Sequence, residues 1–206
     1  MVRRSRSPTL TLLVVFCLVF AVQSAVRLLG FVGLGWVHGL LFTLHSPMQQ
    51  PWALVTSVYA HANLTHLLSN ALALALVGFV LERSTTNLRF HLFFLISGAL
   101  AGLAEVLLTF GSVAVLGASG AVFALYGYVL GGNVVTDRLL SKLDLPRSAE
   151  YAVFAVVAIV VTLATGAPGV ALIAHFTGLL VGVAAGRLRL LATSHHGTYA
   201  SRKESY

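Results

Sequence analysis

Three short polar clusters interrupt an otherwise apolar sequence, and each contains side chains that can take part in catalysis. The first holds His61, His66 and Asn70, the second holds Ser119, and the third holds His175. A serine hydroxyl is a poor nucleophile until a neighbouring base removes its proton, and an imidazole can do so near neutral pH. The sequence therefore offers Ser119 as a nucleophile and His175 as its base, which is the chemistry of acyl transfer.

Acyl transfer also builds negative charge on the carbonyl oxygen, and the first cluster supplies donors for that charge. His66 and Asn70 are four residues apart, so they share one face of a helix. Their N–H groups, together with the backbone N–H of Ser119, predict an oxyanion hole. Taken singly, each residue also has a structural interpretation, because polar side chains in apolar helices commonly bond their own helix or a neighbour.

The composition indicates that membrane helices position these residues. Of the 206 residues, 58 % are hydrophobic and only 9 % are charged, and the mean hydropathy is +0.91. A soluble domain is about a quarter charged, so the expected solvent is a lipid bilayer. The net charge of +7 does not indicate nucleic acid, because the basic residues lie at segment ends and form no stripe. A single cysteine, Cys17, excludes an intramolecular disulfide and a cysteine-based zinc site.

Six apolar segments each approach the ~20 residues that a helix needs to cross the hydrocarbon core. They are residues 9–29, 64–81, 90–110, 118–135, 150–166 and 170–191. None alternates in the way that barrel strands do. We therefore predict an all-α fold, a polytopic bundle of six transmembrane helices. The first segment follows three arginines and is also typical of a signal peptide; we interpret it as a retained span.

The basic residues predict the orientation of the bundle. If the N-terminus is cytoplasmic, 12 of the 13 basic residues fall inside, and only Arg27 lies near the outside. We therefore expect a multi-pass protein of the cell membrane with both termini in the cytoplasm. The chain would divide into a basic N-terminus (1–8), a six-span domain (9–192) and a disordered tail (193–206). Its long outer loop (31–63) is apolar and is expected to lie in the membrane interface.

The predicted orientation places the three polar clusters at similar depth. Spans two, four and six all run from outside to inside, and each cluster falls in the first turns of its span. Small residues also recur at helical spacing after each member of the Ser–His pair: Gly127 and Gly131 follow Ser119, and Gly178, Gly182 and Gly186 follow His175. Such residues let membrane helices pack closely. The two helices would thus bring Ser119 and His175 together.

The ordered set of motifs is that of a known family. His61 with His66-x-x-x-Asn70, then Gly117-Ala-Ser119-Gly120, then Ala174-His175-x-x-Gly178-x-x-x-Gly182 resemble the signature of rhomboid intramembrane proteases. Their order, their spacing and the six spans resemble the prokaryotic form. The resemblance covers spans two to six.

The resemblance implies a Ser119–His175 dyad with no third acid, and it implies that His66, Asn70 and the backbone of Ser119 hold the oxyanion. Family members cleave transmembrane segments of other membrane proteins near the outer membrane face. The resemblance therefore implies such substrates as partners in the lipid bilayer. It also implies that no metal or cofactor is needed.

Supporting positions carry over with some departures. Gly117 matches the glycine of the serine loop, and His61 matches a second histidine with a structural or water-retaining role. Phe123 lies one turn below Ser119, where its ring can stack on the imidazole, but the family often has tyrosine there. Many members also carry a Trp-Arg pair in the first outer loop, and the loop of this chain contains no arginine.

Other functions remain open at this stage. A non-catalytic relative would bind membrane segments, but such proteins are expected to lose the serine or the histidine. A transporter with a histidine relay would be expected to pair acids within its spans. A zinc protease built on His61, His66 and His175 would lack the His-Glu-x-x-His motif. The role of Glu105, near the outer end of span three, is open between a gating or polar-network role and an interfacial position. The oligomeric state is open as well.

Overall fold

A computed structural model describes residues 7–110, 113–133, 146–164, 166 and 169–192. This part of the chain contains eight α-helices and two short 3₁₀ helices, at Leu28–Val32 and Glu82–Ser84. The α-helices are α1 (Pro8–Arg27), α2 (Trp36–Phe42), α3 (Ala53–Tyr59), α4 (Leu64–Leu81), α5 (Asn87–Leu108), α6 (Ser119–Gly132), α7 (Arg147–Ala164) and α8 (Leu172–Arg187).

Six of these helices are apolar and lie where the six spans were predicted. Three helical stretches are long and apolar enough to cross a membrane: Pro8–Val32, Leu64–Ser84 and Asn87–Leu108. The apolar helices α6, α7 and α8 are shorter. The architecture is therefore a helical membrane bundle, which confirms the predicted fold class. The predicted tail at 193–206 and the last two residues of the fourth predicted span lie outside the described residues.

The helix ends differ from the hydropathy boundaries by a few residues, and a side-chain cap and a left-handed residue explain two of the differences. α5 begins three residues before the apolar run because the Thr86 hydroxyl accepts the N–H of Arg89 at 3.3 Å and caps the helix. α8 ends at Arg187, before the predicted limit at 191, and Arg189 just beyond it has a left-handed φ of 51°. Hydropathy cannot register either effect, because both involve polar residues.

The predicted outer loop contains two short helices, α2 and α3, that pack on each other. The indole N–H of Trp52 donates to the carbonyl of Leu40 at 2.9 Å, and the Thr56 hydroxyl donates to the carbonyl of Leu41 at 2.6 Å. Large apolar side chains of this region, including Phe31 and Met48, are exposed. Exposed apolar groups around a bonded backbone are what an interfacial segment presents to lipid.

The closest helix pair in the bundle is α6 and α8. A Cβ added at Gly182 would overlap the carbonyl oxygen of Ala124, and one added at Gly127 would overlap that of Leu179. Each helix therefore places glycine against the backbone of the other, as the small-residue spacing predicts. This interface sets the distance between the two halves of the predicted site.

The outer members of the bundle are joined by polar contacts at one end, which is the end predicted to face the cytoplasm. α1 packs along α4, where the Ser7 hydroxyl donates to the carboxylate of Glu82 at 2.6 Å. α7 packs on α8, where Arg187 and Glu150 form an ion pair at 2.8 Å. Away from this end the core is aromatic and aliphatic, with Phe16 of α1 among its fully buried side chains.

Candidate functional site

The serine cluster lies in the loop that leads into α6. The helix begins at Ser119, so the N–H groups of its first turn have no carbonyl within the helix to bond. Gly117 has a φ of 135°, which favours glycine. A Cβ there would also lie only 2.6 Å from Cε1 of His66. Glycine at 117 therefore lets the loop turn into α6 while it touches the His66 ring.

Backbone hydrogen bonds tie this loop to the outer segment. The Gly117 N–H donates to the carbonyl of Ser57 at 2.9 Å. Leu44 and Val115 exchange two backbone hydrogen bonds, at 2.8 and 2.9 Å, in an isolated antiparallel bridge. The residues that precede Ser119 are thus fixed by backbone bonds to Ser57 and to Leu44. None of these three bonds had a signal in the sequence, because the partners are far apart along the chain and use only backbone atoms.

His175 lies in the first turn of α8, where α8 faces α6. It is buried, with 7 % of its surface exposed, and its ring stacks on Phe123 with centroids 4.2 Å apart and an interplanar angle of 15°. This contact confirms the predicted stack. Nδ1 of His175 is buried and has no hydrogen-bond partner among the described residues. In that part of the chain Phe123, rather than a carboxylate, orients the imidazole.

The Ser–His pair and the two α4 residues line one cavity of about 680 Å³. Ser119 and His175 enter it from α6 and α8, and His66 and Asn70 enter it from α4. No hydrogen bond joins Ser119 to His175 within the described residues, and such pairs commonly tighten only when a substrate binds. The structure therefore brings together all four side chains that were predicted to form the site.

The α4 residues are oriented by bonds at the start of their helix. Asn63 caps α4 by accepting the N–H of His66 at 2.8 Å. The Asn70 amide donates to the carbonyl of His66 at 2.9 Å. That bond uses one of the two amide hydrogens, so the second remains for the cavity. Asn70 is itself buried, and a fixed, partly desolvated donor is what charge stabilisation requires.

His61 lies behind the cavity rather than in its lining. It is fully buried, and its ring meets those of His66 and Phe16 edge-on, with centroids 5.3 and 4.9 Å away. Burial, and to a smaller extent the neighbouring His66, lower the pKa of His61 to about 4. His61 is therefore neutral at neutral pH. Its position fits packing behind His66 better than contact with a substrate.

Glu105 belongs to the site's framework, and its role could not be read from the sequence. It is buried near the end of α5, and one carboxyl oxygen accepts the backbone N–H of Ala174 at 2.7 Å. The other oxygen accepts the Thr109 hydroxyl at 3.1 Å. Ala174 lies in the first turn of α8, whose N–H groups lack helical partners, and directly precedes His175. Glu105 thus caps the histidine helix from a different helix.

The part of the chain that the structure describes contains no group of three or more His, Cys, Asp or Glu side chains placed to hold a metal ion. The zinc alternative built on His61, His66 and His175 therefore has no ligand set among these residues.

Comparison with known proteins identifies the family. A sequence model of the rhomboid domain matches residues 48–192. The chain belongs to the rhomboid family. RHOMBOID-like protein 4 of Arabidopsis thaliana is 33% identical over 146 residues, which are 71% of this chain and 36% of that protein. The Bacillus subtilis protein named "Putative rhomboid protease YdcA" is 35% identical over 79 residues, which are 38% of this chain and 40% of that protein.

The rhomboid match includes every residue that was predicted to form the site. The chain spans well under half the length of these curated relatives. The match begins at residue 48, so α1 and α2 precede it. The residues of α1 therefore lie outside the part of the chain that matches the rhomboid domain.

The capping of α8 by Glu105 can be tested by measuring the stability of the protein. Glu105→Leu leaves the buried N–H of Ala174 without its acceptor, and an unsatisfied buried group costs about 1–3 kcal/mol. We expect that loss in the free energy of unfolding, measured by denaturant titration in mixed micelles. Glu105→Gln is the matched control, because its amide oxygen can still accept the bond. Equal stability of the two variants would contradict a capping role.

Proposed function

We propose that this rhomboid is an intramembrane serine endopeptidase that cleaves transmembrane segments of other membrane proteins. One observation carries the proposal. Ser119 at the start of α6 and His175 on α8 line the same cavity, with the His175 ring held flat against Phe123. A structural role for either residue does not require that both face one cavity. A nucleophile and its base do.

Each residue has a task in the proposed reaction. The Ser119 hydroxyl attacks the scissile carbonyl as His175 takes its proton, through Nε2 because Nδ1 is buried. The carbonyl oxygen becomes negative and accepts hydrogen bonds from His66, Asn70 and the Ser119 backbone. His175 then gives the proton to the leaving amine as the C–N bond breaks, and a water molecule, activated by the same imidazole, releases the acyl group from Ser119. No step requires a metal or cofactor.

The length of α6 supports cleavage inside the membrane. With 14 residues, α6 is about 21 Å long at ~1.5 Å per residue, which is shorter than the ~30 Å hydrocarbon core. If a helix of that length ends at the cytoplasmic face of the hydrocarbon core, its first residue lies inside the core, below the outer face. Ser119 would then lie within the outer half of the bilayer. We also propose that the chain is a protein of the cell membrane with both termini in the cytoplasm, because this orientation places most of its basic residues on the cytoplasmic side.

Covalent labelling tests the Ser–His pair directly. The purified protein is treated with a fluorophosphonate probe, and the modified residue is found by mass spectrometry. We expect modification of Ser119 in the unmodified protein and little or none in His175→Ala, because the hydroxyl is activated only by its base. Ser69→Ala is the matched control, since Ser69 also lines the cavity but bonds only the His66 carbonyl. It should label normally.

Two results would overturn the proposal. Labelling of Ser119 that persists at the same rate in His175→Ala would show that the two residues are not coupled. No labelling of the folded protein, with bound membrane segments left intact, would favour the non-catalytic relative instead.

A further inference from the structure

The short segment between α3 and α4 is held by two side chains of α1. The backbone N–H of His61 donates to Oε1 of Gln23 at 2.9 Å. The guanidinium of Arg27 donates to the carbonyl of His61 at 3.0 Å and to that of Ala62 at 2.9 Å. Gln23 and Arg27 are four residues apart, so one face of α1 supplies both. Three backbone groups of His61 and Ala62 are thus fixed by a helix that lies outside the rhomboid match.

Gln23 is itself fixed at its other end. It is fully buried, and its Nε2 lies 3.1 Å from Nε2 of His38 on α2. Because Oε1 accepts from His61, Nε2 of Gln23 must be the donor, and Nε2 of His38 must accept. Burial, and to a smaller extent Arg27, lower the pKa of His38, which favours the neutral ring that can accept. The Gln23 side chain therefore has a single orientation.

The held segment bears directly on His66. The backbone N–H of Ala62 donates to Nδ1 of His66 at 3.4 Å. That N–H and the His61 carbonyl, to which Arg27 donates, belong to the same peptide unit. A hydrogen bond to the carbonyl polarises the peptide and strengthens its N–H as a donor. Arg27, the peptide and His66 thus form one chain of hydrogen bonds.

This series of hydrogen bonds determines the tautomer of His66. Since Nδ1 accepts from Ala62, the ring proton of neutral His66 lies on Nε2. Nε2 is the nitrogen that faces Gly117, where an added Cβ would lie 2.9 Å from it. The donor therefore lies beside the loop that leads to Ser119. The opposite tautomer would present a lone pair there and would repel a developing oxyanion.

We propose that Gln23 and Arg27 are positioning residues, which fix the peptide between His61 and Ala62 so that His66 presents its Nε2–H to the catalytic cavity. The inference deepens the proposed protease function and rests on it for its effect on rate. It also gives Arg27, the single basic residue on the predicted outer side, a specific task. Neither side chain touches the cavity, so both act through His66.

The test uses Arg27→Met in the full chain, with ¹⁵N NMR of labelled histidine in micelles. We expect His66 to be in the Nε2–H form in the unmodified protein and to become a mixture of tautomers in the variant. Arg89→Met is the matched control, because Arg89 also donates to a backbone carbonyl, that of Ala192 at 2.7 Å, but is far from the site along the bundle. It should leave the His66 signals unchanged. If Arg27→Met does not fold, Gln23→Met carries the same test.

Kinetics provides the second readout. For a cleaved reporter we expect kcat of Arg27→Met to fall about 10-fold with KM nearly unchanged, which is less than the 10²–10³-fold cost of deleting an oxyanion donor. Arg27→Lys, which keeps one donor, should recover part of the loss. An unchanged His66 tautomer in a folded Arg27→Met would overturn the inference, as would equal effects of Arg27→Met and Arg89→Met. The NMR result does not depend on cleavage, so failure of the protease proposal would be seen separately.

Discussion

Replacing Ser119 with alanine is expected to reduce cleavage of a transmembrane reporter by about 10⁶-fold, as loss of the nucleophile does in a soluble serine protease. The reason is that the proposed covalent path has no second nucleophile. Water would have to attack directly, with help only from the donors of His66, Asn70 and the α6 N-terminus. The remaining activity should stay about 10³–10⁴-fold above the uncatalysed background, because those donors and substrate binding are retained.

The measurement is cleavage of a reporter with one transmembrane segment, reconstituted with the protein in liposomes. Ser69→Ala is again the matched control, since its hydroxyl lines the same cavity and its loss should change the rate less than about three-fold. Unfolding curves in mixed micelles verify that Ser119→Ala is folded, because a half-buried serine at the first turn of a helix contributes little to stability. A folded Ser119→Ala that cleaves at the normal rate would refute the assignment.

The pair also predicts strong non-additivity. When residues act as a unit, replacing one of them lowers the rate about as much as replacing all of them. His175→Ala should therefore lower kcat to about the level of Ser119→Ala, and the double variant should be no worse. Multiplicative losses in the double variant would mean that Ser119 and His175 act independently, which the proposed proton transfer does not allow.

The sequence was sufficient for the bundle and for the four lining side chains, for identifiable physical reasons. Apolar runs of span length have few alternative structures in a membrane. Glycine spacing indicated the α6–α8 contact, which the packing of Gly127 against Leu179 confirms. The stack of Phe123 on His175 followed from the same register. The sequence signal for each of these features is a spacing of residues within a single helix, even where the contact itself joins two helices.

The framework behind the site was not predictable, because its bonds join distant positions through polar groups with ordinary local surroundings. Glu105 and Ala174 are 69 residues apart, and Gln23 and His61 are 38 apart. Nothing near Gln23 in the sequence indicates its partner. In an apolar span such a polar residue signals only that some partner exists. Finding which one requires the three-dimensional arrangement.

The second large effect is expected at the helix contact that brings the dyad together. Gly182→Ala adds one methyl group, and that carbon would overlap the carbonyl oxygen of Ala124. Backbone cannot rotate away as a side chain does, so α6 and α8 must separate. We expect a loss of about 1–3 kcal/mol in the free energy of unfolding, the usual cost of overpacking. Denaturant titration in mixed micelles measures it.

Gly39→Ala is the matched control, and it should have the opposite sign. Gly39 lies inside α2, and an added Cβ there meets nothing within 4 Å. Without a clash, glycine to alanine in a helix gains about 0.5–1 kcal/mol by restricting the unfolded chain. Destabilisation of the same size at both positions would mean that the effect comes from the helices themselves and not from their contact.

Activity should fall further than this loss of stability explains. Gly178, one turn from His175, lies against the carbonyl of Gly120, the residue after Ser119, so the same interface that tolerates no methyl group also sets the separation of the dyad. A shift of about 1 Å in reacting groups can cost on the order of 10²-fold in rate. Folded Gly182→Ala should therefore show a kcat that is lowered about 10- to 100-fold, with labelling of Ser119 slowed in parallel. Full activity in the folded fraction of Gly182→Ala would mean that the close contact of α6 and α8 is not needed for catalysis. The glycines would then contribute to stability alone.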